Sequence, residues 1–318
     1  MKKSFIAIAI SSVIFLSACN DKEKSDSTSQ AQQSTSELAQ LKSELAQTKA
    51  ELENVKSQFP ALKVEIETIF DKKEVVKHTR GPGEEEEYFI DATPVQLGVT
   101  MPKTNVTWLN DLLYTKFVQD WGIEFDERGN PISYPKIEKG KEREMALNIL
   151  QKMFEAMLAD GKANPSLGYT EVMNSNYVSQ RNNIVTFSQF HNSYTGGAHG
   201  MYHTEYLNID TDKRKIISLS DLFSPQEQVA LKENLWNQYV DEWHKLTGDN
   251  SQPFVYKQDL VFSEQFYFSD FGITFVYAPY EVGPFAMGEI EVSLSWHEIN
   301  DYLPKEYQQQ INYIESDF

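Results

Sequence analysis

The hydrophobic period of this chain changes at one residue, Pro60. Before it, Leu38, Leu41, Leu45, Thr48, Leu52, Val55 and Phe59 recur at alternating steps of three and four. That is a heptad, with a at 38, 45, 52 and 59 and d at 41, 48 and 55. The g positions are Glu37, Glu44 and Glu51, and the e positions are Lys42, Lys49 and Lys56. Each Glu precedes its Lys by five residues, whereas pairs within one helix sit three or four apart. The g-to-e spacing is that of interchain pairs in a parallel coiled coil. Residues 36–59 therefore predict a stalk that forms a parallel homo-oligomer, with a single solvated spacer helix as the alternative. Ser36 suits the N-cap and Pro60 stops the helix. Beyond Pro60, Leu62, Val64 and Ile66 alternate with Lys63, Glu65 and Glu67, which is the period of a strand.

Upstream of the heptad, Lys2 and Lys3 precede an apolar-rich run from Phe5 to Leu16. This is the layout of a secretory signal. The run is too short to cross a bilayer core, which takes about 20 helical residues. It ends in Leu16-Ser17-Ala18-Cys19, and Cys19 is the only cysteine in the chain. These residues resemble the lipobox of bacterial lipoproteins. The resemblance implies that residues 1–18 are a cleaved signal peptide and that Cys19 is lipidated at sulfur and then acylated at its new amine. Each buried CH₂ contributes about 0.8 kcal/mol, so several acyl chains hold a protein on a membrane. Asn20, where an Asp would mark inner-membrane retention, implies an outer-membrane lipoprotein facing the periplasm in a Gram-negative host. Residues 19–35 are rich in Lys, Asp, Ser, Thr and Gln and read as a flexible tether. A lone cysteine also excludes an intrachain disulfide and any Cys-rich zinc site.

The remaining chain, 60–318, alternates between strand and helix patterns. A strand is expected from Tyr88 to Val99, interrupted at Pro94. A helix follows over 106–121, with Leu109, Leu112, Leu113 and Phe117 on one face. A second helix is expected over 141–160, carrying Ala146, Ile149, Leu150, Met153, Phe154 and Met157 and stopped at Gly161. Strands at 183–190 and 204–209 flank a Gly-rich connection. Ser224-Pro225-Gln226-Glu227 is a capping box with Pro at the first helical position. The helix it opens is expected to present Val229, Trp236, Val240 and Trp243 on one side. Strands around 260–268, 272–278 and 289–296 close the chain. Runs of strands with segregated helices predict an α+β fold of antiparallel sheets with helices packed on one side, preceded by the short coiled-coil helix.

Charge narrows the partners. Lys and Arg number 29 against 47 Asp and Glu, a formal charge of −18. Nucleic acid is excluded, because phosphate binding needs surplus cations. A cationic protein, in contrast, would be steered toward such a surface. A hydrophobic content of 40% is ample for a core and rules out wholesale disorder.

Two stretches go beyond pattern. The first is Tyr194-Thr195-Gly196-Gly197-Ala198-His199-Gly200, followed by Tyr206 to Asp210 and then Leu219-Ser220-Asp221-Leu222-Phe223. The second is Phe271-Gly272-Ile273-Thr274-Phe275, then Tyr277 to Pro284, Gly288, and Ile299 to Leu303. Together they resemble the extracytoplasmic domain shared by RsiV-type anti-sigma factors and the non-catalytic region of PdaC-type peptidoglycan deacetylases. The resemblance divides the globular part into residues 60–210, PdaC/RsiV-like, and 211–318, RsiV-like. RsiV-type ectodomains bind lysozyme, so the resemblance implies a binding module for lysozyme or peptidoglycan. The transmembrane helix and sigma-binding segment of the RsiV type are not matched, nor is the Asp-Asp-containing catalytic domain of the PdaC type. Neither activity is carried over.

His191, His199 and His203 are the one cluster that invites metal chemistry. On a helix, His199-Gly-Met-Tyr-His203 would place both imidazoles on one face. Gly196, Gly197 and Gly200 argue for a loop instead, with His199 satisfying backbone groups there. No cofactor or metal is expected. Gly-x-Ser-x-Gly and phosphate-cradling loops are missing from the sequence, and His297-Glu298 lacks the second His of a zincin. Tyr277, Tyr280 and Phe285 could line a groove or fill the core, and the core reading is preferred. The candidate binding residues are His199, Tyr194, Tyr280 and Glu281, with no catalytic residue assigned. The rival functions are a peptidoglycan hydrolase or deacetylase acting near His199, and a structural envelope spacer.

Overall fold

The computed structural model describes residues 59–82, 89–126, 128–248 and 250–309, together with 41, 42 and 45. Leu41, Lys42 and Leu45 are helical and exposed. The signal peptide, Cys19, the tether and the rest of the expected stalk lie outside the described residues. Phe59–Phe318 form one compact unit.

The alternation that begins at Val64 becomes β1 (Val64–Lys77), an edge strand paired antiparallel with β2 (Ala92–Thr104). The helix predicted over 106–121 is α1 (Thr107–Trp121), and the turn-rich stretch after it holds a small hairpin, β3 (Glu124–Phe125) and β4 (Pro131–Ser133). The second helix is α2 (Glu142–Ala163). Then come β5 (Tyr169–Arg181), β6 (Ile184–Tyr194), β7 (Met201–Asp210) and β8 (Lys215–Ile216). The large sheet has the order β1-β2-β5-β6-β7-β8.

The α+β class holds, but the large sheet is mixed rather than antiparallel. β2 and β5 run parallel, in register from Val95–Tyr169 to Val99–Met173. A parallel pair needs a long crossover, and α1, the hairpin and α2 together supply it. Pro94 does not interrupt β2. It sits opposite Val75 and just before the β5 ladder starts, so its missing N–H removes no bond from that ladder.

Both long helices cover one face of this sheet. Leu109, Leu113 and Phe117 of α1 and Ala146, Leu150 and Phe154 of α2 are buried with Val95, Leu97, Val99, Met101 and Met173. Gly161 does not stop α2. It lies inside the helix, where a Cβ would come within 3.2 Å of Val95 Cγ2, so the missing side chain lets the helix close onto β2.

The C-terminal third builds a second core. A short helix α3 (Leu219–Leu222) leads into α4 (Pro225–Thr247), whose capping box forms as read: Glu227 N–H donates to Ser224 Oγ at 3.3 Å, and Ser224 N–H donates to Glu227 at 2.6 Å. Helix α4 buries Leu231, Leu235, Tyr239 and Trp243, a stripe of steps of four. Trp243 is on the expected side, but Val229 is 75% exposed. The stripe meets β9 (Phe266–Phe268), β10 (Gly272–Tyr277) and β11 (Ile290–Ser295), an antiparallel sheet of order β11-β10-β9. A final short helix, α5 (Trp296–Ile299), buries Trp296 and Ile299 in the same core.

The two sheets meet along the outer edge of β7. There Tyr206 N–H donates to Gln265 Oε1 at 2.9 Å, Thr204 N–H donates to Glu289, and Asn208 Nδ2 donates to the Phe266 carbonyl at 2.6 Å. Side chains thus occupy an edge that would otherwise be open to another strand.

Candidate functional site

The seam at β7 is also where the predicted residues gather. The β6–β7 connection, residues 195–200, carries His199 over this edge, and the segment between β10 and β11 carries Tyr280 and Phe285 to meet it. Gly196 has φ of +88°, and a Cβ there would overlap the Ser166 side chain. The connection therefore needs glycine. The Tyr194 hydroxyl donates to the Gly197 carbonyl at 3.0 Å and ties the loop across itself.

His199 is exposed, and its ring stacks on Phe285 with centroids 4.0 Å apart. Its Nδ1 lies 2.8 Å from the Gly200 carbonyl. A carbonyl only accepts, so Nδ1 carries a proton, and in the neutral ring Nε2 then accepts from the Tyr280 hydroxyl at 3.3 Å. Both ring nitrogens are engaged, one of them with backbone as the sequence suggested. Tyr202 completes the group, edge-on to Phe285 at 5.6 Å. Sequence reading did not single out Tyr202 or Glu289. The one local signal was Gly288, with φ of +74°, where a Cβ would press within 3.2 Å of the Tyr202 hydroxyl.

Tyr280 has φ of +77°, a conformation that a bulky residue adopts only when its surroundings impose it. The surroundings are a tight turn. Glu281 N–H donates to the Ala278 carbonyl at 3.0 Å, Tyr280 N–H to the Gly283 carbonyl at 3.0 Å, and Ala278 N–H to the Glu281 carboxylate at 2.7 Å. Glu281 thus locks the turn that presents Tyr280, which is 50% exposed. The two readings of the Tyr277 region divide. Tyr277 is core, with its hydroxyl on the Val261 carbonyl at 2.7 Å, while Tyr280 and Phe285 face the seam. Behind the turn, Glu281, Asp259, Glu264, Tyr277 and Val282 line an open cleft of about 450 Å³.

His199 and His203 do not pair. His203 lies on β7 directly opposite His191 of β6, and their rings stack with parallel planes at 4.6 Å. Trp121 of α1 stacks on His191 at 5.6 Å. Among the described residues, no group of three or more His, Cys, Asp or Glu side chains is arranged to hold a metal ion. The His191 Nε2 is buried with no hydrogen-bond partner among the described residues, and the Glu205 carboxylate stands 3.9 Å away, held by Lys116 at 2.6 Å. Burial, reinforced by His203 and the Lys116 charge, holds the His191 imidazole down at about 4.

This has a measurable consequence. Between about pH 6.5 and pH 4 the unfolded chain takes up a proton at His191 that the native chain refuses, so stability falls as the solution is acidified. His191→Phe keeps the ring stack and removes the proton site. The expected loss attributable to His191 is about 1–3 kcal/mol across that window. Glu171 on β5, raised to about 7 by burial, contributes the opposite slope. The measurement is therefore the difference between wild type and variant in denaturation midpoint against pH, and identical profiles would refute the assignment.

Comparison with known proteins adds a likeness over part of the chain. Residues 220–297 match a family model described as "Protein of unknown function (DUF3298)". The matched residues span most of α3, all of α4 and the small sheet, with Tyr280, Glu281, Phe285 and Glu289, and leave out His199 and Tyr202. A crystal structure of a DUF3298 family member from Bacteroides fragilis is similar over 76% of this chain and 94% of that chain, with TM-score 0.50 and 23% identity. A DUF3298 family protein from Pseudomonas aeruginosa aligns over 76% of this chain and 95% of that chain, with TM-score 0.48 and 14% identity. The first likeness is one of fold. Among curated proteins none matches the chain.

Proposed function

We propose that this chain is an envelope lipoprotein, held at the outer membrane by acyl chains on Cys19, whose globular part is a binding module. It presents the seam surface of His199, Tyr280 and Phe285, with the cleft behind Glu281, to a wall-associated partner, either lysozyme or peptidoglycan. The observation that carries this reading is the Tyr280 turn: an exposed aromatic side chain on backbone at φ of +77°, in a turn closed by three hydrogen bonds, its ring tilted against those of His199 and Phe285. Rigid, exposed aromatics lose little freedom on binding and serve as interface anchors or as platforms for sugar rings. Three carboxylates around the adjoining cleft and a net charge of −18 favour a cationic partner. The likeness to RsiV-type ectodomains supports lysozyme in particular.

Calorimetry of the full chain with lysozyme, and co-sedimentation with purified peptidoglycan, test the reading. Binding to one of them is expected, weakened roughly tenfold or more by Tyr280→Ala and, for lysozyme, by added salt. Absence of binding to both would overturn it. So would muropeptide turnover that disappears in His199→Ala, because the site would then be catalytic.

A further inference from the structure

The large sheet has a second face, turned away from α1 and α2. Side chains alternate across a strand, so the register fixes which residues share it. Along β2, β5 and β6 one set, which includes Leu97, Val99, Met173 and Phe187, is buried in the core with the helices. The other set stays exposed or half-buried and lines up strand by strand. Val172 of β5 lies opposite Asn192 of β6, and Asn192 opposite Tyr202 of β7. Asn174 lies opposite Phe190, and Asn176 opposite Ser188, which pairs in turn with Tyr206. Gly98 of β2 extends the first row beside Val172. One end of this face is closed, where Ile184 joins the core of the small sheet and Asn208 donates to the Phe266 carbonyl. Its β7 side is walled by Tyr267, 4.9 Å from the Tyr206 ring, and by Phe285, edge-on to Tyr202 at 5.6 Å. The result is a trough with a flat floor and an aromatic wall.

Two properties of the trough bear on what it holds. Its floor is uncharged: those rows contain no Asp, Glu, Lys or Arg, in a chain where such residues make up 24%. Charge stands only at the borders. Asp71 and Lys73 lie on the edge strand β1, opposite Gly98 and Gln96, while Glu289 is held by Thr204 and Glu291 by Tyr267. The polar groups of the floor are also uncommitted. Among the described residues, the side chains of Gln96, Asn174, Asn176, Ser188 and Asn192 make no hydrogen bond to the protein, and Phe190 and Tyr202 set their rings 5.7 Å apart beside them. We propose that this trough binds a neutral glycan strand, its hydroxyl and amide groups answered by the asparagines and its ring faces laid on Phe190 and Tyr202. The charge match selects that occupant. An ion here would shed water with no opposite charge to replace it, and an apolar partner would strip the amides of water without answering them. A chain of hydroxyl-bearing rings does neither, because each amide donates and accepts as a hydroxyl does, and a sugar ring presents a C–H face to an aromatic one. From β2 to β7 the floor spans about 14 Å at ~4.8 Å per strand, room for more than one sugar ring. It lies outside the Tyr280 turn and the acidic cleft, so it goes beyond the seam reading and can fail without it.

Calorimetric titration of the full chain with chitohexaose, cellohexaose and a galacturonate hexamer tests this. Saturable binding of at least one neutral hexamer is expected, little changed by salt, with none for the anionic one. Asn174→Ala combined with Asn176→Ala trims two exposed side chains and keeps the fold; it should weaken binding at least about tenfold, and so should Phe190→Ala. A preference for chitohexaose would assign the floor amides to N-acetyl groups, and equal or tighter binding of cellohexaose to hydroxyls. Tyr280→Ala should leave the glycan affinity unchanged. Absence of binding to both neutral hexamers, equal binding of the anionic one, affinity unchanged in both floor variants, or a loss confined to Tyr280→Ala would overturn the proposal.

Discussion

Gly272→Ala should destabilise the chain by about 3 kcal/mol or more, the range reserved for severe overpacking. Gly272 opens β10, the central strand of the small sheet, opposite Ser295 of β11. A Cβ at this position would lie 1.8 Å from the Leu294 carbonyl oxygen and 2.8 Å from Ser295 Cα. Both are backbone atoms, so no rotamer change relieves the overlap. Relief requires β11 to move away from β10. That motion would separate the Ile273–Leu294 and Phe275–Val292 pairs, whose side chains form the core under α4. Gly129 is the contrasting position: its φ is +79°, but a Cβ there meets nothing within 4 Å. Gly129→Ala should cost only about 1 kcal/mol of backbone strain. Urea denaturation of the two variants separates packing from backbone conformation. A Gly272→Ala loss no larger than that of Gly129→Ala would show that the small sheet tolerates the displacement.

Cys19→Ser should move the protein from the membrane fraction to the soluble fraction, the largest change expected from any single substitution outside the core. Several acyl chains, each CH₂ worth about 0.8 kcal/mol when buried, make an anchor far stronger than a protein surface resting on lipid. Serine cannot carry a thioether-linked lipid, so on the proposed lipoprotein reading the anchor would be lost while the globular unit, which begins at Phe59, would be unaltered. Fractionation with a denaturation control on the released protein measures this, and labelled palmitate should enter wild type and not the variant. A variant that stays with the membrane, or a wild type that takes up no label, would remove the lipoprotein reading.

Local signals in the sequence translated well into elements. The capping box at Ser224 formed hydrogen bond for hydrogen bond, because its partners are three residues apart. The α1 face of Leu109, Leu113 and Phe117 is buried as the 3.6 period required. The Gly-rich connection is a loop, since Gly196 holds a φ that other residues avoid. Where the reading missed, the deciding contact was distant in sequence. Gly161 reads as a helix stop until Val95 is found against it. Pro94 reads as a break until the β5 ladder is seen to begin beside it. Val229 fits a helical face in the sequence, but the β10–β11 surface selects the Leu231–Leu235–Tyr239–Trp243 stripe instead.

The candidate site divides in the same way. Sequence marked His199, Tyr194, Tyr280 and Glu281, and each makes a hydrogen bond in the loops that meet at the seam. Their association did not follow from it, because His199 and Tyr280 lie 81 residues apart and come together only through the register of β7 against the small sheet. Composition, period and capping act over a few residues and determined which segments of this protein become helix, strand or loop. The parallel β2–β5 pairing, the bridged edge of β7, and which polar groups end up facing a cleft were decided by tertiary packing, because burial and register depend on surfaces that only the folded chain brings together.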